Sequence, residues 1–188
     1  MSDEKGILCI DISSQKIKTA VVKENCEIAA SIEDNFSFIN DDMEGFAKSY
    51  NSNEIWRKLT NCIKNTFKKS KIHSKNIIGI TSCTQRQACV FLSKEEEVIY
   101  AGPNCDIRGI DTQYLVENMF RDEELFQITG HNPPLIFPLA RLLWFQEEKE
   151  ELFEKIFKVL LFDDWIVFKL TGNYCTDPTS ASESLLFD

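Results

Sequence analysis

Three clusters of polar side chains lie where short apolar runs end, and each has residue types that could do chemistry. The first is Asp11-Ile12-Ser13-Ser14-Gln15-Lys16-Ile17-Lys18. A turn of small polar residues can aim successive backbone amides at a phosphate, and a carboxylate at a strand end can hold Mg²⁺, usually through water. The same residues also make an ordinary hairpin turn without a ligand, so both readings stand. The second cluster is GITSCTQRQ, Gly79 to Gln87, in which an apolar strand runs out into consecutive hydrogen-bonding side chains. Ligands of α/β sheets bind beyond the carboxyl ends of strands. Gln85, Arg86 and Gln87 are thus placed to hydrogen-bond hydroxyl groups, or else form a plain polar loop. The third is NCDIR, Asn104 to Arg108, where Asp106 and Arg108 either bind a ligand or pair with each other.

The elements around these clusters follow from apolar periodicity. Ile7 to Ser13 reads as a buried strand, KIKTAVVKE alternates as a second and CEIAASI as a third, an antiparallel meander that opens the domain. From Asn53 to Lys69 the residues Ile55, Leu59, Cys62, Ile63 and Phe67 recur at three-to-four spacing and predict an amphipathic helix lying on the sheet. Ile77 to Cys83 is a β-branched run suited to a parallel strand, followed by strands in ACVFL and EVIYAG. The remainder reads as mainly helical. Pro138 opens a helix carrying Leu139, Leu142, Leu143 and Trp144, because its missing amide hydrogen is unneeded there. Asp163 and Asp164 favour the start of another through Trp165, Ile166, Phe168 and Leu170, with Gly172 as its left-handed stop. The order βββαβ followed by more strands predicts an α/β fold.

Composition narrows the function classes. A chain of 188 residues suits one generous domain, with 43% hydrophobic and 27% charged residues and no low-complexity tract. The net charge of −9 argues against nucleic acid, which needs a cationic surface to displace counterions. Lys64, Lys68, Lys69 and Lys71 read as a solvated helix face, as do the glutamates between 147 and 154. Seven cysteines with no CxxC pair and no histidine at metal spacing read as reduced thiols. The start, Met1 to Gly6, is polar and no apolar run is long enough for a bilayer, so a cytoplasmic protein without a membrane partner is expected.

Taken in order, the clusters resemble the N-terminal domain of the FGGY carbohydrate kinases, the family of glycerol kinase and xylulokinase. ILCIDISSQKIKTAVV resembles the family's first phosphate motif, an Asp-x-Gly-Thr turn followed by a basic residue. GITSCTQRQACVFL is similar to the strand that ends in Gln-Arg-Glu in glycerol kinases and Gln-Met-His in xylulokinases, and NCDIRG to the Trp-x-Asp-x-Arg segment after it. ITGHNPPLIFPLARLLWFQEE resembles the Thr-Gly loop and the helix ending in Trp, and LLFDDWIVFKLTGNYCTDPTSASESLLFD the Asp-Tyr/Trp-x-x-x-x-Leu-Thr-Gly segment and beyond. Ser13 stands where the family turn has glycine, Gln87 where glycerol kinases have glutamate, and Ile136 where they have an aromatic residue.

The resemblance implies an actin-like, ribonuclease H-like ATPase fold with a mixed sheet flanked by helices. It also implies an activity, transfer of the γ-phosphoryl of ATP to a hydroxyl of a sugar or polyol, with Mg²⁺. On this chain Asp11 would organise the metal and phosphate, Ser13 and Ser14 would offer amides to the phosphates, and Lys18 would be the basic residue. Gln85, Arg86 and Gln87 would line the sugar pocket with Asp106 beside them, and residues His131 to Phe137 would form its lip. The family's general base and most of its nucleotide-binding domain fall outside residues 1–188. The resemblance therefore implies a sugar-binding N-terminal domain incomplete at its C-terminal end, inactive alone and completed by a C-terminal half or an oligomeric partner. The alternative is a non-catalytic sugar-binding or regulatory remnant of the same fold.

Overall fold

Leu8, Ile10 and Ile12 alternate along the first strand and are almost wholly buried, whereas Ile7 and Asp11 on the opposite face are exposed and Cys9 is half-buried. That period of two sets one face of a sheet inward. The computed structural model describes residues 4–131 and 136–187. In chain order the strands and helices are β1 (Gly6–Ile12), β2 (Lys16–Lys23), β3 (Ile28–Asn35), β4 (Phe38–Asn40), β5 (Lys48–Tyr50), α1 (Ser52–Ser70), β6 (Ile77–Thr84), β7 (Cys89–Leu92) and β8 (Val98–Gly102). There follow α2 (Gln113–Met119), α3 (Asp122–Thr129), α4 (Pro138–Glu148), α5 (Glu150–Phe153), β9 (Lys158–Leu161), α6 (Phe162–Thr171) and α7 (Pro178–Ser182). They form two compact units, one of residues 1–37 and 51–84, the other of residues 38–50 and 85–188.

The first unit is a four-stranded sheet in the order β3-β2-β1-β6, antiparallel except for the β1–β6 pair. The three-strand meander read from the sequence is present, and so is the parallel strand that follows the long helix. α1 starts at Asn51, whose side chain accepts from the Glu54 amide at 3.0 Å, and ends at Lys71 in the left-handed conformation. Its bounds lie within one residue of the helix predicted from Asn53 to Lys69, and Ile55, Leu59 and Cys62 of the predicted apolar face are buried. Ile17 and Val21 of β2 are likewise buried, and the hydroxyls of Thr19 and Thr66 meet at 2.6 Å inside the unit. β6 is an edge strand among the described residues, and Ile78 and Ile80 on it are more than half exposed.

The second unit holds the β4–β5 hairpin and an antiparallel sheet in the order β8-β7-β9. Every residue of β7 is buried, and its Phe91 packs on Tyr100 and Phe145 with ring centroids 5.1 and 5.6 Å apart. Val116, Leu125 and Leu143 make a second apolar cluster. Pro138 is at the first turn of α4, and Gly172 closes α6 with φ 73°, as the sequence predicts. β4, β5 and β9 are additions to what the sequence showed. β4 and β5 have three residues each, too few for alternation to stand out, and β9 lies in the stretch that the sequence reads as mainly helical. All seven cysteines are free thiols, and among the described residues no helix is long and apolar enough to cross a membrane.

Candidate functional site

At the β1–β2 hairpin, Asp11 and Lys18 are directly opposed across the antiparallel ladder and both are exposed. Residues opposite one another on adjacent strands share a face. Among the described residues neither side chain has an ion pair or hydrogen bond, so a carboxylate and an ammonium stand unengaged side by side. The turn between them closes through the Ser13 amide, which donates to the Lys16 carbonyl at 2.9 Å, with the Ser13 hydroxyl on the same oxygen at 3.4 Å. It does so without positive φ at Ser13. The Cβ that replaces the family's glycine is thereby accommodated, at the cost of an amide that faces inward.

The loop after β6 belongs to the second unit and is held at both ends. The Gln85 side-chain amide donates to the Tyr50 hydroxyl at 2.7 Å, and its oxygen accepts from the Asn104 amide at 3.4 Å. Burial pushes the Tyr50 phenol up to about 12, so at neutral pH it remains a hydroxyl that can accept from Gln85. Gln87 has φ 61°, in the region that favours glycine, and its side chain donates to Glu183. Between these anchors Arg86 is 76% exposed at its side chain, and Glu183 approaches its Nη1 at 3.4 Å. Glu183 lies just beyond α7 and is itself 14% exposed.

Asp106 is wholly buried. One of its oxygens accepts from the Lys48 amide at 2.9 Å and the Arg108 amide at 3.4 Å. The other accepts from the Tyr100 hydroxyl and from Arg108 Nε at 2.7 Å. Of the two readings left open for this segment, the acid–base pair is made. Arg108 also donates to Asp41 at 2.6 Å and to the Lys48 carbonyl, and its guanidinium lies over the rings of Tyr100 and Trp144. Behind it Arg141 is fully buried, donating to Cys89 Sγ at 3.2 Å and to the Ile136 carbonyl, with Nε 4.0 Å from Asp106. Two cations and two carboxylates are thus interlocked, with Asp106 two residues along the chain from Asn104, whose amide donates to Gln85.

The structure therefore brings Gln85, Arg86 and Gln87 together, sets Asp106 within the same unit, and keeps Asp11, Ser13, Ser14 and Lys18 together on the hairpin of the other. Of the predicted lip, the rings of His131 and Phe137 lie 4.9 Å apart, while residues 132–135 fall outside the described residues. Sequence reasoning missed Tyr50, Asp41 and Glu183. All three reach their partners over long sequence separations, and no local pattern announces such pairs.

The sequence model of the N-terminal domain of the FGGY family of carbohydrate kinases matches residues 6–188. YoaC of Bacillus subtilis (strain 168), assigned as a sugar kinase, is 26% identical over 188 residues, all of this chain and 38% of YoaC. The gluconate kinase of Lactobacillus acidophilus superposes with a TM-score of 0.86 at 22% identity, covering 97% of this chain and 36% of that one. The xylulose kinase of Rhodospirillum rubrum gives 0.90 at 17% identity, with 98% and 38% covered. At these identities the structural likeness bears on the fold, and the fold is the actin-like α/β one. The chain spans well under half the length of each protein it matches here.

Proposed function

Because the chain belongs to the FGGY family of carbohydrate kinases, whose N-terminal domain it carries over residues 6–188, we propose that it recognises the sugar in a kinase that moves a phosphoryl group from ATP to a sugar or polyol hydroxyl. The observation that carries this reading is the Gln85 to Gln87 loop. Its two glutamines are anchored by Tyr50 and Glu183, and the guanidinium between them is presented to solvent, where it can meet hydroxyl oxygens. Asp106 supports that loop from within the unit rather than touching the ligand.

The hairpin supplies the complementary half of the reading. An unengaged carboxylate at Asp11 and an unengaged ammonium at Lys18 suit a metal-bound phosphate, with Ser14 beside them and Ser13 shaping the turn. Among the described residues no group of three or more metal-ligating side chains exists, so Mg²⁺ at Asp11 would take its remaining ligands from water and phosphate. When bound, it neutralises charge on the transferring phosphoryl group. Residues 1–188 form the sugar-binding domain, and the base and most of the nucleotide site come from a C-terminal half or a partner chain in the cytoplasm. The exposed Ile78 and Ile80 on β6 are consistent with such a partner.

The test is ADP release with pentoses, hexoses and polyols, with and without a C-terminal half supplied in trans. Turnover that requires both halves is expected, and no transfer to any acceptor by the joined halves overturns the kinase reading. The inward-facing amide of Ser13 favours a second reading, a non-catalytic sugar-binding module. Ser13→Gly separates the two, since a kinase works before that change and a degenerate remnant works, if at all, only after it.

A further inference from the structure

Glu183 reaches the loop from far along the chain and touches two of its three side chains. Its Oε1 lies 3.4 Å from Arg86 Nη1, and its Oε2 accepts from the Gln87 amide. The Gln87 backbone is held at φ 61° in that arrangement, a conformation that a residue with a Cβ keeps only when its surroundings enforce it. Arg86 is the one cation of the loop and Glu183 is its ion-pair partner among the described residues, so the pair together is neutral.

We propose that Glu183 is a specificity-determining residue that restricts this site to neutral polyhydroxyl compounds and turns away aldonates and other anionic sugars. The inference rests on the sugar-site reading above. A hydroxyl group both donates and accepts, so adjacent hydroxyls can donate to the Glu183 carboxylate and accept from the remaining N–H groups of Arg86. A ligand carboxylate can only accept. On the remaining N–H groups of Arg86 it sits beside the Glu183 carboxylate with no proton to share between them, and if it displaces Glu183 from Arg86 it leaves that largely buried carboxylate held by Gln87 alone beside a second negative charge. Gln87 is on this account a positioning residue, since its amide holds the carboxylate facing Arg86. The family itself does not decide the point, for the structurally similar proteins include kinases named for gluconate and for xylulose.

The experiment is calorimetric titration of the chain with xylitol, D-xylulose and D-glucose against D-xylonate and D-gluconate, repeated for Glu183→Gln and Glu183→Asp. The wild type should favour a neutral compound over its matched aldonate by at least tenfold. Glu183→Gln should shrink that ratio tenfold or more, and Glu183→Asp, which keeps the charge, should retain most of it. Equal or tighter binding of aldonates by the wild type overturns the proposal, and so does an unchanged ratio in a folded Glu183→Gln. Should Glu183→Gln fail to fold, the wild-type ratio and Glu183→Asp decide alone. Sugar binding without the selectivity defeats this inference only. Binding of neither class removes the sugar site itself and this proposal with it.

Discussion

The side-chain amide of Gln87 donates to the carboxylate of Glu183, 96 residues further along the chain, from a backbone at φ 61°. Left-handed backbone costs a residue with a Cβ roughly 1–2 kcal/mol that glycine avoids. The usual ranking of alanine over glycine should therefore reverse here. Gln87→Ala loses the bond to Glu183 and keeps the strain, whereas Gln87→Gly loses the bond and relieves it. Thermal or denaturant unfolding should place Gln87→Gly above Gln87→Ala by about 1 kcal/mol. The opposite order would mean that the loop is not held as described.

The Asp106 network should be the most sensitive polar feature of the second unit. Asp106→Leu leaves Arg108 and Arg141 buried with fewer counter-charges and strands the Tyr100 hydroxyl. Breaking a buried pair by removing one partner costs about 3–5 kcal/mol. We expect a loss of that size in urea unfolding, against less than about 1 kcal/mol for removing the exposed Lys16–Glu33 pair at 3.5 Å.

Gly109 lies against α4 so closely that a Cβ would stand 2.4 Å from the Ala140 carbonyl oxygen and 2.6 Å from its carbon. Backbone cannot swing aside as a side chain can. Gly109→Ala should push α4 away, lengthen the Thr112 hydroxyl bond to the same carbonyl, now 3.2 Å, and destabilise by about 1–3 kcal/mol. Gly130→Ala, with open space around its Cβ but φ 73°, should cost only its backbone strain. Unfolding midpoints of the two variants compare the mechanisms directly.

Asp164 accepts from the Leu161 amide at 3.2 Å at the start of α6, and burial pushes its carboxyl from 3.8 up to about 6. The folded chain therefore binds this proton more tightly than the unfolded chain. Its stabilising contribution is full below about pH 4 and is lost as the pH rises towards 6. Asp164→Asn removes the titration. The stability of the variant relative to wild type should rise between those limits and level off above them, as melting curves across the range would show.

Much of the first unit was legible because it is built from long periodic segments. β1, β2, β3, α1 and β6 each carry enough alternation or three-to-four spacing to declare themselves, and Pro138 and Gly172 marked helix ends through backbone chemistry. The strands β4 and β5 were not legible, since three residues each carry almost no alternation, and β9 pairs with β7 far back along the chain from within a stretch that reads as helical. The site shows the same division. Asp11 and the Gln85 to Gln87 triplet stand out at strand ends, while Tyr50 and Glu183, which orient that triplet, lie 35 and 96 positions from their partners in sequence. Ser13 is the instructive case. The sequence shows a Cβ where the family has glycine, and only the fold shows that the hairpin absorbs it by turning the amide onto Lys16.

The central claim is that this chain recognises a sugar or polyol through the guanidinium presented between Gln85 and Gln87. Ligand-observed saturation-transfer NMR with a panel of pentoses, hexoses and polyols tests it most directly. At least one compound should receive saturation from the wild-type chain and lose it in Arg86→Ala. No transfer to any compound at millimolar concentration, or transfer undiminished in Arg86→Ala, would contradict the account.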